Sequence, residues 1–139
     1  TVRRLYPKIR DRRFSYEATM TCLREAREYG SRQIVKSALM AGHGENDSDV
    51  YECLADLREA GVEAVCIGQY LRPTKQQREV TQFVHPDVFM EYERTAYALG
   101  FEYVVSGPFV RSSYRSERLL EQRFARARFG LAPLESAGR

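Results

Sequence analysis

Three short stretches bring together residue types that can do chemistry. Gly42-His43-Gly44-Glu45 sets two glycines and a carboxylate directly before the cap candidates Asn46-Asp47-Ser48. Glycine lets the main chain approach a ligand closely, and a helix N-terminus behind it favours an anionic group. The pattern is neither GxGxxG nor a Walker loop, and a tight turn with a capping Glu45 accounts for it equally well. Gly68-Gln69-Tyr70-Leu71 closes an apolar run. Main-chain groups at such a point can pair with the polar edge of a heterocycle while Tyr70 or Leu71 covers its face. The alternative is a plain strand end with a buried Tyr70. Arg111-Ser112-Ser113-Tyr114 follows Ser106-Gly107-Pro108-Phe109-Val110. A nucleophilic serine needs a positioned base and an oxyanion hole, and the absence of GxSxG argues against a hydrolase. A serine alkoxide can also ligate iron, with the neighbouring Arg111 favouring the deprotonated form. As plain structure, Ser112 or Ser113 would cap a helix.

Further candidates stand alone. Lys36 lies in an otherwise apolar stretch, where an ammonium needs a partner or a cavity to face. The charges of the Arg4-Leu5-Tyr6-Pro7-Lys8-Ile9-Arg10 segment, Arg10 among them, can bind a carboxylate or stay solvated. His43 reads as a loop residue and His85 as a helix-entry residue; neither has the neighbours that a metal site requires.

The elements that must position these residues alternate. A helix is predicted over residues 15–30, capped by Ser15, with Met20 and Leu23 on its stripe and Gly30 at its end. A buried strand follows over 33–41, then a helix over 47–60 with Val50, Leu54 and Leu57 in register. The unit recurs: a strand over 62–70, a long polar segment over 71–81, and a helix opened by His85-Pro86-Asp87 and faced by Phe89, Tyr92, Ala96 and Leu99. A strand over 101–109 and a helix over 116–128 complete the chain, and the tail after it reads as loose. Helix and strand in alternation imply an α/β fold with a parallel sheet and crossover helices, either half of a β/α barrel or a small open sheet. All three strands run into glycine- or proline-bearing loops, on the rim where such folds build their sites.

Composition sets outer bounds. The 139 residues suffice for one core, and 43% hydrophobic with 29% charged residues is ordinary for a globular chain. No apolar run approaches a membrane span, and Thr1-Val2-Arg3-Arg4 does not open a signal peptide, so no membrane association is expected. The net charge of +3 sits at the ends, with six basic residues and one Asp from Arg3 to Arg13, and six Arg and two Glu from Arg111 to Arg128. No aromatic platform or helix-turn-helix pattern accompanies that charge, so no nucleic-acid partner is expected and solvated faces are preferred. Cys22, Cys53 and Cys66 are three widely spaced cysteines, which argues for a reducing compartment and against a disulfide framework. No pair forms CxxC or a cluster motif, and all three are expected to be buried structural thiols.

Taken together and in order, the segments resemble the lipoyl synthase family over about residues 2–120. VRRLYPKIR resembles its VxRLYxxVR stretch. VKSALMAGHGE is similar to TKSGLMLGLGE, VEAVCIGQYLRPT to LTLGQYLQPS, and the stretch from FVHPDVF to GPFVRSSY to its YVxPDEF and terminal GPxVRSSY. The combination of GQYL with RSSY is the most specific part. Ala38 stands where the family has Gly, His43 where it has an apolar residue, and Gln76-Gln77 where it often has paired His. The resemblance implies the C-terminal half of a partial (β/α) TIM-like barrel of the radical S-adenosylmethionine (SAM) type over residues 1–115, with a C-terminal helix and tail over 116–139. It implies two 4Fe–4S clusters and SAM in the intact enzyme, one cluster reducing SAM to a 5′-deoxyadenosyl radical and the other giving up sulfur. The reaction would insert sulfur at carbons 6 and 8 of an octanoyl chain held on a carrier lysine. Ser112 would ligate the sulfur-donating cluster, because alkoxide holds iron less firmly than thiolate and lets one iron leave. Lys36, Gly42, Gly44, Glu45, Gln69, Tyr70, Leu71 and Arg10 would surround the cofactor, with Arg111 assisting Ser112. Implied partners are octanoylated lipoyl domains (the 2-oxoacid dehydrogenase E2 component, the glycine cleavage H protein) and an electron donor such as ferredoxin or flavodoxin. The family's cysteine triplets lie upstream of Thr1, so the chain by itself is expected to be an inactive fragment; a non-catalytic binding module is the alternative. A bacterial cytoplasm is expected ahead of a mitochondrial matrix.

Overall fold

A computed structural model describes residues 1–30, 33–118 and 121. The expected boundary at 115/116 has no counterpart to test it, and the helix expected over 116–128 lies mostly outside the described residues; residues 116–118 and 121 are helical.

The N-terminal segment is itself folded. A 3-10 turn over Arg3–Leu5 runs into a short helix, α1 (Tyr6–Ile9), and together they bury Val2, Leu5 and Tyr6. Its arginines bind carboxylates of this same chain. Arg4 clasps Asp49 at 2.6 Å and donates to the Gly44 carbonyl at 3.0 Å, while Arg3 reaches Asp56 at 3.1 Å and also bonds Glu17.

The larger helices start where their caps stand. α2 (Tyr16–Tyr29) begins with the Ser15 hydroxyl accepting from the Ala18 amide at 3.0 Å. It buries Tyr16 and Met20, and the Tyr16 hydroxyl donates to Asp56 at 2.8 Å. Cys22 corrects the expectation of three buried thiols. It lies two residues beyond Met20, about 200° around the helix, and is exposed. α3 (Asp47–Glu59) opens on a reciprocal box in which Asn46 caps the Asp49 amide at 2.8 Å and Asp49 caps the Asn46 amide at 2.9 Å. It buries Val50, Cys53, Leu54 and Leu57, the face read from the sequence. α4 (Pro86–Ala98) has Pro86 in its first turn and buries Phe89, Tyr92 and Ala96.

Three strands, β1 (Lys36–Ala41), β2 (Ala64–Gln69) and β3 (Tyr103–Gly107), form one parallel sheet in the order β1-β2-β3. Consecutive strands are neighbours, with α3 and α4 as the crossovers. A doubly wound sheet reverses its strand order; a β/α barrel does not. The register pairs Lys36 with Ala64 and Ala64 with Tyr103, ending at Ala41 with Gln69 and Gly68 with Gly107. Because strand residues alternate in facing, two surfaces follow. Leu39, Ala41, Val65, Ile67 and Val104 join Val50, Leu54, Leu57, Phe89 and Ala96 in the main core. Lys36, Ala38, Met40, Ala64, Cys66, Gly68, Tyr103, Val105 and Gly107 form the opposite face, the one that looks into a barrel. β2 is buried along its whole length, as a central parallel strand should be.

Candidate functional site

The glycine loop after β1 is closed by its own glutamate. The Glu45 carboxylate accepts from the Gly42 amide and from the His43 amide, the latter at 2.9 Å. Gly42 has φ +103°, and a Cβ there would fall 2.5 Å from the Gln82 carbonyl oxygen, so the loop needs glycine at this point. The Gly42 and His43 amides are thus occupied by Glu45, which closes the turn ahead of the Asn46 cap.

His43 is almost fully buried and lies against Tyr70, ring centroids 4.2 Å apart and planes tilted 31°. Neither of its ring nitrogens has a hydrogen-bond partner among the described residues. Burial lowers its pKa, opposed by the nearby Glu45 charge and reinforced by the chain's amino group, Arg78 and Arg10. Arg10 itself is exposed just beyond α1, its guanidinium 5.9 Å above the Tyr6 ring.

The segment after β2 uses its side chains inward. The Gln69 amide donates to the carbonyls of Tyr70 and Gln82, each at 3.0 Å, and accepts from the Val84 amide at 2.9 Å. The Tyr70 hydroxyl donates to the Arg78 carbonyl at 2.8 Å. These bonds fasten the polar segment 71–84 over the end of the sheet. Gln69 and Tyr70 are buried, and Leu71 is exposed. Gln82 and Val84 were not singled out by sequence; the only cue to them is that a buried amide such as Gln69 must find partners.

The serine segment takes a course that the sequence did not indicate. Instead of staying on the rim beyond β3, residues 108–116 fold back across the barrel-facing side of the sheet. The Val110 carbonyl presses on Gly68, where a Cβ would lie 2.1 Å from its oxygen. Lys36, at the opposite end of β1, donates its ammonium to the Ser112 carbonyl at 2.6 Å and to the Ser116 hydroxyl at 2.7 Å. The Tyr103 hydroxyl donates to the Arg115 carbonyl at 2.9 Å. Lys36 therefore has its partner within the chain. Arg111 donates to the carbonyls of Val110 at 2.7 Å and Gln69 at 3.4 Å, so its guanidinium serves the main chain. Ser112 is exposed. Burial pushes the Cys66 thiol up on this face, with the Lys36 ammonium pulling the other way.

The candidates therefore divide. Lys36 of β1 bonds the segment that carries Arg111 and Ser112, which Arg111 links to Gln69 at the end of β2; Gly42, Gly44, Glu45, Gln69, Tyr70 and Leu71 stand at the C-terminal ends of β1 and β2. Among the described residues no group of three or more His, Cys, Asp and Glu can hold a metal ion. Ser112 offers an exposed hydroxyl to an iron cluster here, while the Cys66 thiol of the same face is buried.

A parallel sheet with sequential strands and helices on one side is the arrangement of part of a β/α barrel. No family model matches the chain. Its relatives include the mitochondrial lipoyl synthase of Drosophila grimshawi, 47% identical over 84% of the chain, and the lipoyl synthase of Thermus thermophilus, 47% identical over 86%. The apicoplast lipoyl synthase of Toxoplasma gondii is 46% identical over 84% of the chain. The chain belongs to the lipoyl synthase family. It spans 32%, 37% and 21% of the length of those relatives, respectively. Their names divide between organelles and a bacterium, so they do not select a compartment. No helix among the described residues is long and apolar enough to cross a membrane.

Proposed function

We infer that the intact protein is a lipoyl synthase, inserting sulfur at carbons 6 and 8 of an octanoyl chain on a carrier-protein lysine, and that this chain forms the C-terminal part of its barrel. One observation carries the reading: the Ser112 segment is anchored on the barrel-facing side of the sheet by main-chain contacts, with Ser112 itself left exposed. When bound, the two 4Fe–4S clusters and SAM supply a carbon-centred radical and the sulfur to be transferred. The chain's own contribution is positional. Ser112 offers one oxygen ligand. Gln69 and Tyr70 hold the segment 71–84 in place, leaving Leu71 on the rim to meet SAM. Ala38 and Met40, exposed on the inner face, offer an apolar wall to an acyl chain. The substrates are octanoylated lipoyl domains of E2 or H-protein type, with ferredoxin or flavodoxin as electron donor, in the bacterial cytoplasm.

The test follows 5′-deoxyadenosine and lipoyl product separately in the intact holoenzyme. Ser112→Ala is expected to lower lipoyl product per deoxyadenosine by about a hundredfold, as loss of a ligand used only in sulfur transfer should. Ser113→Ala is expected to be milder. Equal yields from Ser112→Ala and the parent, or a larger loss from Ser113→Ala, would remove the ligand assignment. We propose further that the chain alone holds neither cluster and is inactive. Anaerobic reconstitution of the chain with iron and sulfide tests it, and stoichiometric 4Fe–4S binding would refute it.

A further inference from the structure

We propose that Lys36 is the positioning residue for Ser112, its ammonium fixing the serine's main chain across the inner face of the sheet. The proposal rests on the reading of Ser112 as an iron ligand and adds how that ligand is aimed.

Lys36 is a cation on a face otherwise made of Ala38, Met40, Ala64, Cys66, Gly68, Tyr103, Val105 and Gly107. Among the described residues this half-buried ammonium bonds the Ser112 carbonyl and the Ser116 hydroxyl, with the Cys66 thiol beside it on the same face. The two acceptors are four residues apart, so the ammonium closes one turn of chain around Ser112 and Ser113. Small neighbours make room, since Ala38 lies on the same strand face and Ala64 directly across the ladder.

The same segment is held on either side by different means. Gly68 admits the Val110 carbonyl before Ser112, and Tyr103 binds the Arg115 carbonyl after it. Lys36 makes the shorter of two bonds to the Ser112 carbonyl, 2.6 Å against 3.4 Å from the Ser116 hydroxyl. With the carbonyl held, the Ser112 hydroxyl has only its staggered χ1 positions to choose among, so ligand direction is set by main-chain position. Among the described residues Ser113 has no equivalent hold; its carbonyl accepts the Ser116 amide at 3.4 Å in a local turn. This asymmetry separates the two serines on structural grounds. The ammonium also places positive charge on the residue whose oxygen must carry negative charge as a ligand, the part that the sequence suggested for Arg111.

The experiment uses the intact, anaerobically reconstituted holoenzyme and a four-member set: parent, Lys36→Met, Ser112→Ala and the double variant. Two quantities are read, lipoyl product per deoxyadenosine and the Mössbauer signal of the oxygen-ligated iron of the sulfur-donating cluster. Lys36→Met is expected to lower the product ratio by about tenfold or more and to shift the iron signal toward that of Ser112→Ala. In the double variant, Lys36→Met is expected to add nothing to the loss from Ser112→Ala, because it acts through that serine. A parental ratio and signal in Lys36→Met, beside a full loss in Ser112→Ala, overturns the positioning role and leaves the ligand reading intact. Additive losses in the double variant overturn it as well, assigning Lys36 a general structural role. A parental signal in Ser112→Ala overturns the ligand reading, and the proposal with it. If Lys36→Met does not fold, Ser116→Ala is used: it removes one acceptor of the ammonium together with the weaker Ser116 bond to the Ser112 carbonyl. It should lower the same ratio about threefold, and an unchanged ratio overturns the proposal.

Discussion

At position 68 a side chain would have nowhere to go. A Cβ there would meet the Val110 carbonyl oxygen at 2.1 Å and its carbon at 3.1 Å, and main-chain atoms cannot rotate aside as a side chain can. Gly68→Ala is therefore expected to push residues 108–116 off the sheet and to cost about 1–3 kcal/mol, the range for overpacking a tight contact. Urea unfolding of the intact protein measures it, and a cost near zero would mean that the segment moves without penalty. His43 makes a different prediction. Its buried ring favours the neutral form, so the folded state takes up a proton only below the ordinary imidazole value of about 6.5. Below that pH the unfolded chain binds more protons than the folded one, and stability falls with pH until the folded-state pKa is reached; above it there is no dependence. His43→Leu should remove that loss. Unfolding midpoints at about pH 7.5 and about pH 5.5 give the comparison, and an equal drop in both proteins would assign the acid sensitivity to other groups. Asp49 is not one of them. Its carboxyl is held below the usual range chiefly by Arg4, so its contribution is lost only as pH falls below the ordinary carboxylate value of about 4.

Elements were legible where local chemistry decides them. Ser15, Asn46 and His85 each stand before a helix and do cap it, because a cap needs only residues within one turn. Strand cores were legible from apolar runs, yet the ladders are shorter than the runs. Val62 and Phe101 sit in the runs but belong to the helix ends before them, their amides bonding back to Leu57 at 3.1 Å and Ala96 at 3.3 Å. Apolar composition reports burial and cannot distinguish a strand from the turn that delivers it. The course of residues 108–116 was not legible, since it depends on Lys36, Gly68 and Tyr103 from three strands that are distant in sequence. Residue type flagged Lys36 and Ser112, but only the fold brings them together. Among elements, α3 depends most visibly on its start. Asn46→Ala removes one half of the reciprocal cap and should cost about 1 kcal/mol, within a range of about 0.5–2. The melting temperature of the intact protein checks it, with Asn46→Asp as the conservative control expected to retain most of the cap.

At the scale of the whole molecule, one side of the sheet is finished and the other is not. The helix side holds a continuous core in which Leu54, Val62, Val65 and Ile67 are fully buried. On the opposite side the segment 108–116 covers β2 and β3, while Ala38 and Met40 of β1 stay exposed. Among the described residues β1 pairs only with β2, and β3 only with β2, so two strand edges carry unpaired main-chain groups. Exposed Phe83, Phe109 and Leu71 add apolar surface. Edges of this kind template pairing with another chain, and apolar patches on them drive association. The isolated 139-residue chain is therefore expected to self-associate, with β1 as the principal joining edge because its inner face is exposed at Ala38 and Met40. Light scattering coupled to size exclusion, run over a dilution series, measures the mass directly. Met40→Lys places a charge on the exposed apolar face of that edge and should shift the population toward monomer, as charged edge residues do in natural sheets. A sharp cooperative melt from a strictly monomeric sample, unchanged by Met40→Lys, would show that the sheet needs no further strands and that the chain is a self-sufficient domain.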